Sequence, residues 1–274
     1  MTSPVANARM YSVNAAVRED WRTLFQWVMV QAELPWPVVD HDAPAPLAAL
    51  WHRDDLGAAM MCGLPYAERP RTPTLLAAPV PSLPRYGGRP VYFTDIVVAA
   101  DSPHATLADT FGGRVGYTLA ESMSGGVALF EHLAVEAPSV ALPYREAVGQ
   151  LVNARGVIDA LVAGRIDVGP LDSYCHDLLR AREPAFANQV RVVATTPPLP
   201  IPPVVATAPL DAGTVDRLQA AFLAVRRAPE LAGLRARLLL DGFAVPRPAD
   251  YTPLARMADA WRARAPSTLA PHRP

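Results

Sequence analysis

Ser122, Ser124, Gly125 and Gly126 fall within "ESMSGGVALF", where small hydrogen-bonding residues run directly into an apolar stretch with helical spacing. One Ser or Asn suffices to cap a helix, so four such residues exceed what capping requires. Amides at a helix N-terminus point outward as donors and carry about half a positive charge from the macrodipole. Two glycines let an anion approach that backbone closely, and two hydroxyls add donors. The segment reads as an anion cradle that needs no lysine. The competing reading is a capped helix whose glycines serve close packing.

Asp172 is the second residue placed for chemistry. It stands between the strand "RIDVGPL" and the helix start "SYCHDLL", at the carboxyl end of a strand, where open α/β sheets receive ligands. A carboxylate there can accept from a ligand amine or hydroxyl, and Asp directly before a helix is also an ordinary N-cap; the two roles are compatible. Tyr174 and His176 follow, with His176 one turn on and in position to pair with Asp172. Asp95, in "YFTDIVV", either lines a cleft or caps a bend. For a lone tyrosine or histidine, core packing is the commoner role.

Other chemistries fail when their residues are sought. "SMSGG" is not a nucleophile elbow, because Ser122 occupies the place of the first glycine. The histidines form no HExxH and no His/Cys ligand cluster, and no GxGxxG follows the first strand. All 25 cationic side chains are arginine, which removes Schiff-base chemistry, pyridoxal phosphate anchoring and a Walker-type lysine. No catalytic residue, metal or cofactor is therefore expected. Cys62 and Cys175 are too far apart for a CxxC pair and read as free thiols unless the fold brings them together. A net charge of -1 provides no basic field to collect nucleic acid.

Positioning these residues requires alternating strands and helices, the pattern of βαβ units and a mostly parallel sheet. A strand is predicted near Ala8 to Val13, then a helix capped by Asn14 with Val17, Trp21, Leu24, Phe25 and Val28 on one face. "WPVVD" reads as a strand, "APLAALWH" as a helix and "LGAAMMC" as a strand. After "TPTLLAAPV" and a turn at Gly87 and Gly88, the extended "PVYFTDIVVA" leads into a second unit. There "TLADTF" reads as a short helix, "GRVGYT" and "SVAL" as strands, and a helix runs to about Ala163; "RIDVGPL", a helix from Ser173 and "QVRVVAT" follow. The proline-rich "TTPPLPIPPVVATA" is an extended return. Three helices, from "DAGTVDRLQAAFLAV", "ELAGLRARLLLDG" and "DYTPLARMADAWRARA", close the chain, the last two packing on the first lobe. With 51% hydrophobic residues, two α/β lobes are expected: 1–97 plus 195–274 as lobe 1, and 98–194 inserted as lobe 2.

The ordered succession of Tyr11, "MCGLPY" (61–66), "YFTDIVVAADSPHATLADTFGGRVGY" (92–117), "ESMSGG", "LVAGRIDVGPLDSY" (161–174) and "TTPPLPIPP" resembles the phosphate, phosphite and phosphonate substrate-binding family of ABC importers. That resemblance covers most of the chain. It implies the type II periplasmic-binding-protein fold, with each lobe a mostly parallel sheet flanked by helices and a ligand cleft between the lobes. It also implies that the Ser-rich turn holds the anionic head of the ligand and that Asp172 lines the site. Tyr11 and the turn at Cys62, Gly63 and Tyr66 come from first-lobe strand ends, opposite the serines when the lobes close. Many phosphonate receptors of this family carry a histidine in a GSH-like segment about ten residues before the equivalent of Gly164. This chain has Ala154 there, with Asn153 or Arg155 as replacement donors, which leaves carboxylate, sulfonate and heterocyclic ligands open beside a phosphonate.

Two functions follow from this reading. The first is a solute receptor that closes on a small anion and presents it to an ABC permease, as a monomer without membrane insertion. The second is a cytoplasmic enzyme on the same fold, of the menaquinone or thiamine-pyrimidine type. A ligand sensor is a weaker third, with no DNA-binding segment attached. The first twenty residues show no signal peptide, so the expected location is the periplasm if a leader was removed and the cytoplasm otherwise.

Overall fold

Asn7 ends the first strand, β1 (Val5–Asn7), earlier than the sequence suggests. Its Oδ1 accepts from the Arg9 amide at 3.0 Å, which turns the chain into a single 3-10 turn over Arg9–Tyr11. Tyr11 therefore lies in a turn, packed 6.4 Å from the Trp21 ring, and the strand expected over Ala8 to Val13 does not form. Asn14 then caps α1 (Ala15–Gln31), accepting from the Val17 amide at 2.8 Å, and the five apolar residues that define the helical face are all buried. The computed structural model describes residues 3–41 and 45–265.

Next along the chain are α2 (Leu47–Trp51), β2 (Leu56–Met60), α3 (Gly63–Glu68) and β3 (Thr74–Pro81). A short strand, β4 (Val91–Tyr92), marks the passage into the second unit. There the order is β5 (Thr94–Ala99), β6 (Arg114–Gly116), α4 (Ala128–Glu136), β7 (Glu146–Val148), α5 (Ala154–Val162), β8 (Gly169–Asp172), α6 (Ser173–Arg182), α7 (Pro184–Ala187) and β9 (Val190–Thr195). After β10 (Leu199–Pro200) the chain completes the first unit with β11 (Val204–Ala206), α8 (Ala212–Ala224), α9 (Ala232–Arg237) and β12 (Leu240–Ala244), and ends in α10 (Pro248–Arg264). None of the described helices is long and apolar enough to cross a membrane.

Two compact units result: Met1–Val91 with Pro200–Tyr251, and Tyr92–Leu199 with Thr252–Pro274. In the first, the sheet order is β1-β2-β11-β3-β12. Val38 bridges Ala6 in parallel and β1 pairs with β2 in parallel, whereas β11 runs antiparallel to both β2 and β3, so β2 and β3 share one direction. In the second unit β5 lies between β8 and β9 and is antiparallel to each, while β6 pairs in parallel with β7 and, through Val115 and Val168, with the start of the β8 segment. Both sheets are mixed rather than mostly parallel: β1, β2 and β3 share one direction with β11 and β12 running against them, and β8 and β9 share one direction with β5 inserted between them in the opposite sense.

Several expectations are corrected. "SVAL" forms no strand: prolines at 138 and 143 remove amide donors on both sides, and the strand falls at β7 instead. "RLLLDG" does not extend the penultimate helix, because Leu239 takes a left-handed φ of 50° and the chain turns into β12, paired with β3. The second unit begins before residue 98, since β5 is its central strand. The last helix does not stay with the first unit. From Thr252 it belongs to the second, where Trp261 stacks on Phe130 with ring centroids 4.3 Å apart and planes 6° from parallel.

Candidate functional site

Ser122 opens the anion-cradle segment as an N-cap, its hydroxyl accepting from the Gly125 amide at 3.2 Å. Met123–Val127 then form one wide π turn before α4, closed by the Val127 amide on the Ser122 carbonyl at 3.0 Å. Both glycines are explained by protein contacts. A Cβ on Gly125 would lie 2.8 Å from the Thr118 Cβ, and one on Gly126 would lie 2.6 Å from the Leu119 carbonyl oxygen. The absent side chains thus admit neighbouring protein, and close packing is what requires glycine here.

The donors of the turn are what remains for a ligand. Among the described residues, the amides of Met123 and Ser124, the first two of the turn, and the hydroxyl of Ser124 meet no protein hydrogen-bond partner. A turn that leaves N–H groups converging at a helix start is an anion-binding geometry. Ser124 is half-buried, so a bound oxygen there would be partly withdrawn from water.

Thr94 brings this turn to Asp172. Its backbone pairs with Asp172 in the β5–β8 register, and its hydroxyl donates to the Ser124 carbonyl at 3.0 Å. The Thr94 amide in turn donates to the Thr196 hydroxyl at 3.0 Å, and Ser173 exchanges two bonds with Phe93, at 2.9 and 3.0 Å. A fully bonded strand end therefore fixes Ser124 and Asp172 at one edge of the second unit's sheet. Sequence reading missed Thr94 and Thr118. The only signal for Thr94 was its place beside Asp95 in the crossing strand.

Asp172 is the N-cap of α6, with Oδ1 accepting from the Tyr174 and Cys175 amides at 2.9 and 3.1 Å. Those bonds favour the carboxylate, yet burial outweighs them, and the nearby charges of Asp95 and Asp177 add to it, so the group is pushed up to about 7. Its second oxygen has no protein donor among the described residues. The site therefore pairs a set of amide donors with an acid that holds its proton near neutral pH.

The remaining candidates lie elsewhere. His176 pairs with Asp95 rather than Asp172, Nδ1 to Oδ2 at 2.9 Å, both side chains being fully buried. Asp95 is thus neither a cleft wall nor a bend cap; it sits mid-sheet and also accepts from Thr195 at 3.2 Å. Tyr174 is wholly inside the core of the second unit, and burial raises its phenol well above the usual range. In the first unit Tyr11 and Gly63 are buried, Gly63 in the opening turn of α3, and Tyr66 packs edge-on against Tyr251 at 5.1 Å. Cys62 and Cys175 are not joined in a disulfide. At the histidine position of the resembled family, Ala154 begins α5, Asn153 is engaged as its cap by the Gly156 amide at 3.1 Å, and Arg155 is paired to Glu183 and covers the Phe186 ring at 4.8 Å. Neither side chain serves as a replacement donor in this arrangement.

Comparison with known proteins gives the family and the fold. The family model described as "ABC transporter, phosphonate, periplasmic substrate-binding protein" matches residues 14–251. A binding protein component of an ABC phosphonate transporter from Pseudomonas aeruginosa superposes with a TM-score of 0.78 at 16% identity, over 97% of this chain and 90% of that one. A Prochlorococcus marinus protein solved with methylphosphonate gives 0.74 at 14% identity, over 94% and 98%. A Xanthomonas citri protein solved with ATP gives 0.67 at 18% identity, over 96% and 99%. A search of curated proteins finds no match. At these identities the superpositions establish the two-lobed fold, and the family match over most of the chain settles its membership. The chain belongs to the periplasmic substrate-binding protein family of phosphonate ABC transporters.

Proposed function

We propose that this protein binds a small phosphorus oxyanion, of the phosphonate or phosphate class, and delivers it to an ABC permease. The observation that carries the reading is the set of donors without protein partners at Met123 and Ser124, beside the half-buried acid of Asp172. In this reading the amides and Ser124 hold two anion oxygens, with Ser122 fixing the turn, while Gly125 and Gly126 allow it to pack. Asp172 then shares one proton with the anion, which removes the repulsion that two full negative charges would suffer. The methylphosphonate found in the Prochlorococcus marinus relative favours the same ligand class.

The protein acts by binding alone. Its partners are the anion and the permease, it works as a monomer in the periplasm, and no enzymatic step is assigned to it. Tyr11, Gly63, Tyr174 and Asp95 support the scaffold in this reading and are not direct ligands.

A thermal-shift panel of methylphosphonate, phosphate, phosphite, sulfonates and carboxylates tests the proposal. A ligand at about one hundred times its Kd adds roughly 2.7 kcal/mol, enough to raise Tm by several degrees. A shift with one or more phosphorus oxyanions is expected. A shift with carboxylates or sulfonates alone would overturn the ligand assignment.

A further inference from the structure

The Asp95–His176 pair has no role in the cradle itself, yet it joins the two elements that carry the site. Asp95 follows Thr94 in β5, and His176 lies one turn beyond Asp172 in α6. Both are at 0% relative exposure. A charge buried at this depth is costly unless it is paired and hydrogen-bonded.

The pattern of partners fixes how the pair is charged. His176 Nδ1 faces Asp95 at 2.9 Å, while its Nε2 is buried with no hydrogen-bond partner among the described residues. An imidazolium would leave a buried N–H donor orphaned at Nε2. The neutral ring, with its hydrogen on Nδ1, leaves only an unused lone pair, which costs less. The N-terminal turn of α6 also disfavours a cation at this position. Asp95 is then ionised, held by the Nδ1–H and by the Thr195 hydroxyl at 3.2 Å.

We infer that Asp95 and His176 are a positioning pair that keeps an ionised carboxylate one residue from the strand position paired with Asp172, and so adds to burial in keeping Asp172 neutral toward the bound anion. The elements packed on the pair carry the following charged groups. On α6 they are Asp177, Arg180 and Arg182, behind the cap Asp172, with Arg180 4.0 Å from Asp177. On β9 the cation is Arg191, whose guanidinium is bound to the carbonyls of Ser102 and His104. The carboxylates of Asp95 and Asp177 both act to keep Asp172 protonated. The effect on binding rests on the oxyanion reading above; the effect on Asp172 itself does not.

The test is the carboxyl titration of Asp172 by carbon NMR in the ligand-free protein, together with calorimetric affinity for methylphosphonate from pH 6 to pH 8. Asp95→Asn removes the neighbouring charge and is expected to lower the Asp172 midpoint by on the order of one unit. His176→Leu removes the Nδ1–H, so Asp95 takes up a proton and the midpoint falls in the same direction. His176→Asn keeps an N–H donor for Asp95 and leaves the midpoint in place. Affinity changes less steeply with pH in the first two variants than in the third. An unchanged Asp172 midpoint in Asp95→Asn or His176→Leu, or an equal fall in His176→Asn and His176→Leu, would overturn the inference. Should Asp95→Asn not fold, the two His176 variants decide the question. If methylphosphonate fails to bind wild-type protein, the oxyanion reading is lost while the ligand-free titration still decides the role of the pair.

Discussion

Gly125→Ala separates two opposed expectations. The residue has negative φ in a helical turn, so intrinsic propensity alone would favour alanine by about 0.5–1 kcal/mol. The new methyl, however, would stand 2.8 Å from the Thr118 Cβ and closer still to its hydroxyl. Ordinary carbon contacts lie near 3.5–4.0 Å, so the turn and the Thr118 segment must part by roughly an ångström. Overpacking of that kind costs about 1–3 kcal/mol, which exceeds the propensity gain. The variant should melt several degrees below wild type, and it should bind methylphosphonate at least tenfold more weakly, because the bond from the Thr118 amide to the Gly125 carbonyl at 2.9 Å anchors the cradle. Thr118→Gly in the same chain makes room for the methyl. Urea denaturation of the two single variants and the double variant should show mutual rescue of about 1 kcal/mol or more. A Gly125→Ala protein as stable as wild type, or more so, would refute the packing argument.

Three further outcomes follow from the same structure. Ser124→Ala should weaken oxyanion binding by about 1–2 kcal/mol in calorimetry while leaving Tm of the ligand-free protein nearly unchanged, since its hydroxyl has no partner among the described residues. Asp172→Asn keeps a good N-cap but removes an acid raised to about 7 from an unfolded value near 4. The folded wild-type chain binds more protons than the unfolded one across that window, so this residue's contribution falls as pH rises from about 4 to 7. The asparagine variant should therefore be more stable than wild type at pH 8 and should lose that advantage at pH 4, as read from urea midpoints. Trp261→Ala should cost about 3–5 kcal/mol in the stability of the second unit, because its stack on Phe130 is fully buried; a loss confined to the first unit in hydrogen exchange would contradict the assignment of the last helix.

Local rules made much of this legible. The Asn14 cap, the apolar face of α1 and the dual placement of Asp172 as strand end and N-cap are set by residues within a few positions of one another. The two-lobed organisation followed from the alternation of elements and the proline-rich return. What stayed hidden depends on partners distant in sequence. His176 was close enough to Asp172 to suggest a pair, yet its partner is Asp95, 81 residues away, because helix rotation turns the ring onto β5. The reason for Gly125 is Thr118, across the turn that precedes it, and the last helix is placed by Trp261 stacking on Phe130, 131 positions earlier; no helical or strand period encodes either contact. Thr94 was overlooked because a hydroxyl in a strand has no distinctive spacing; its importance arises only when the Ser124 carbonyl is brought to it.

The central claim is that the Met123–Gly126 turn holds the oxyanion. Amide proton and nitrogen shifts recorded while methylphosphonate is titrated into the protein test it residue by residue. The account predicts that the Met123 and Ser124 amides move downfield together and saturate with a single Kd, and that Ser124→Ala raises that Kd. Saturable binding that leaves these two amides unmoved would contradict it.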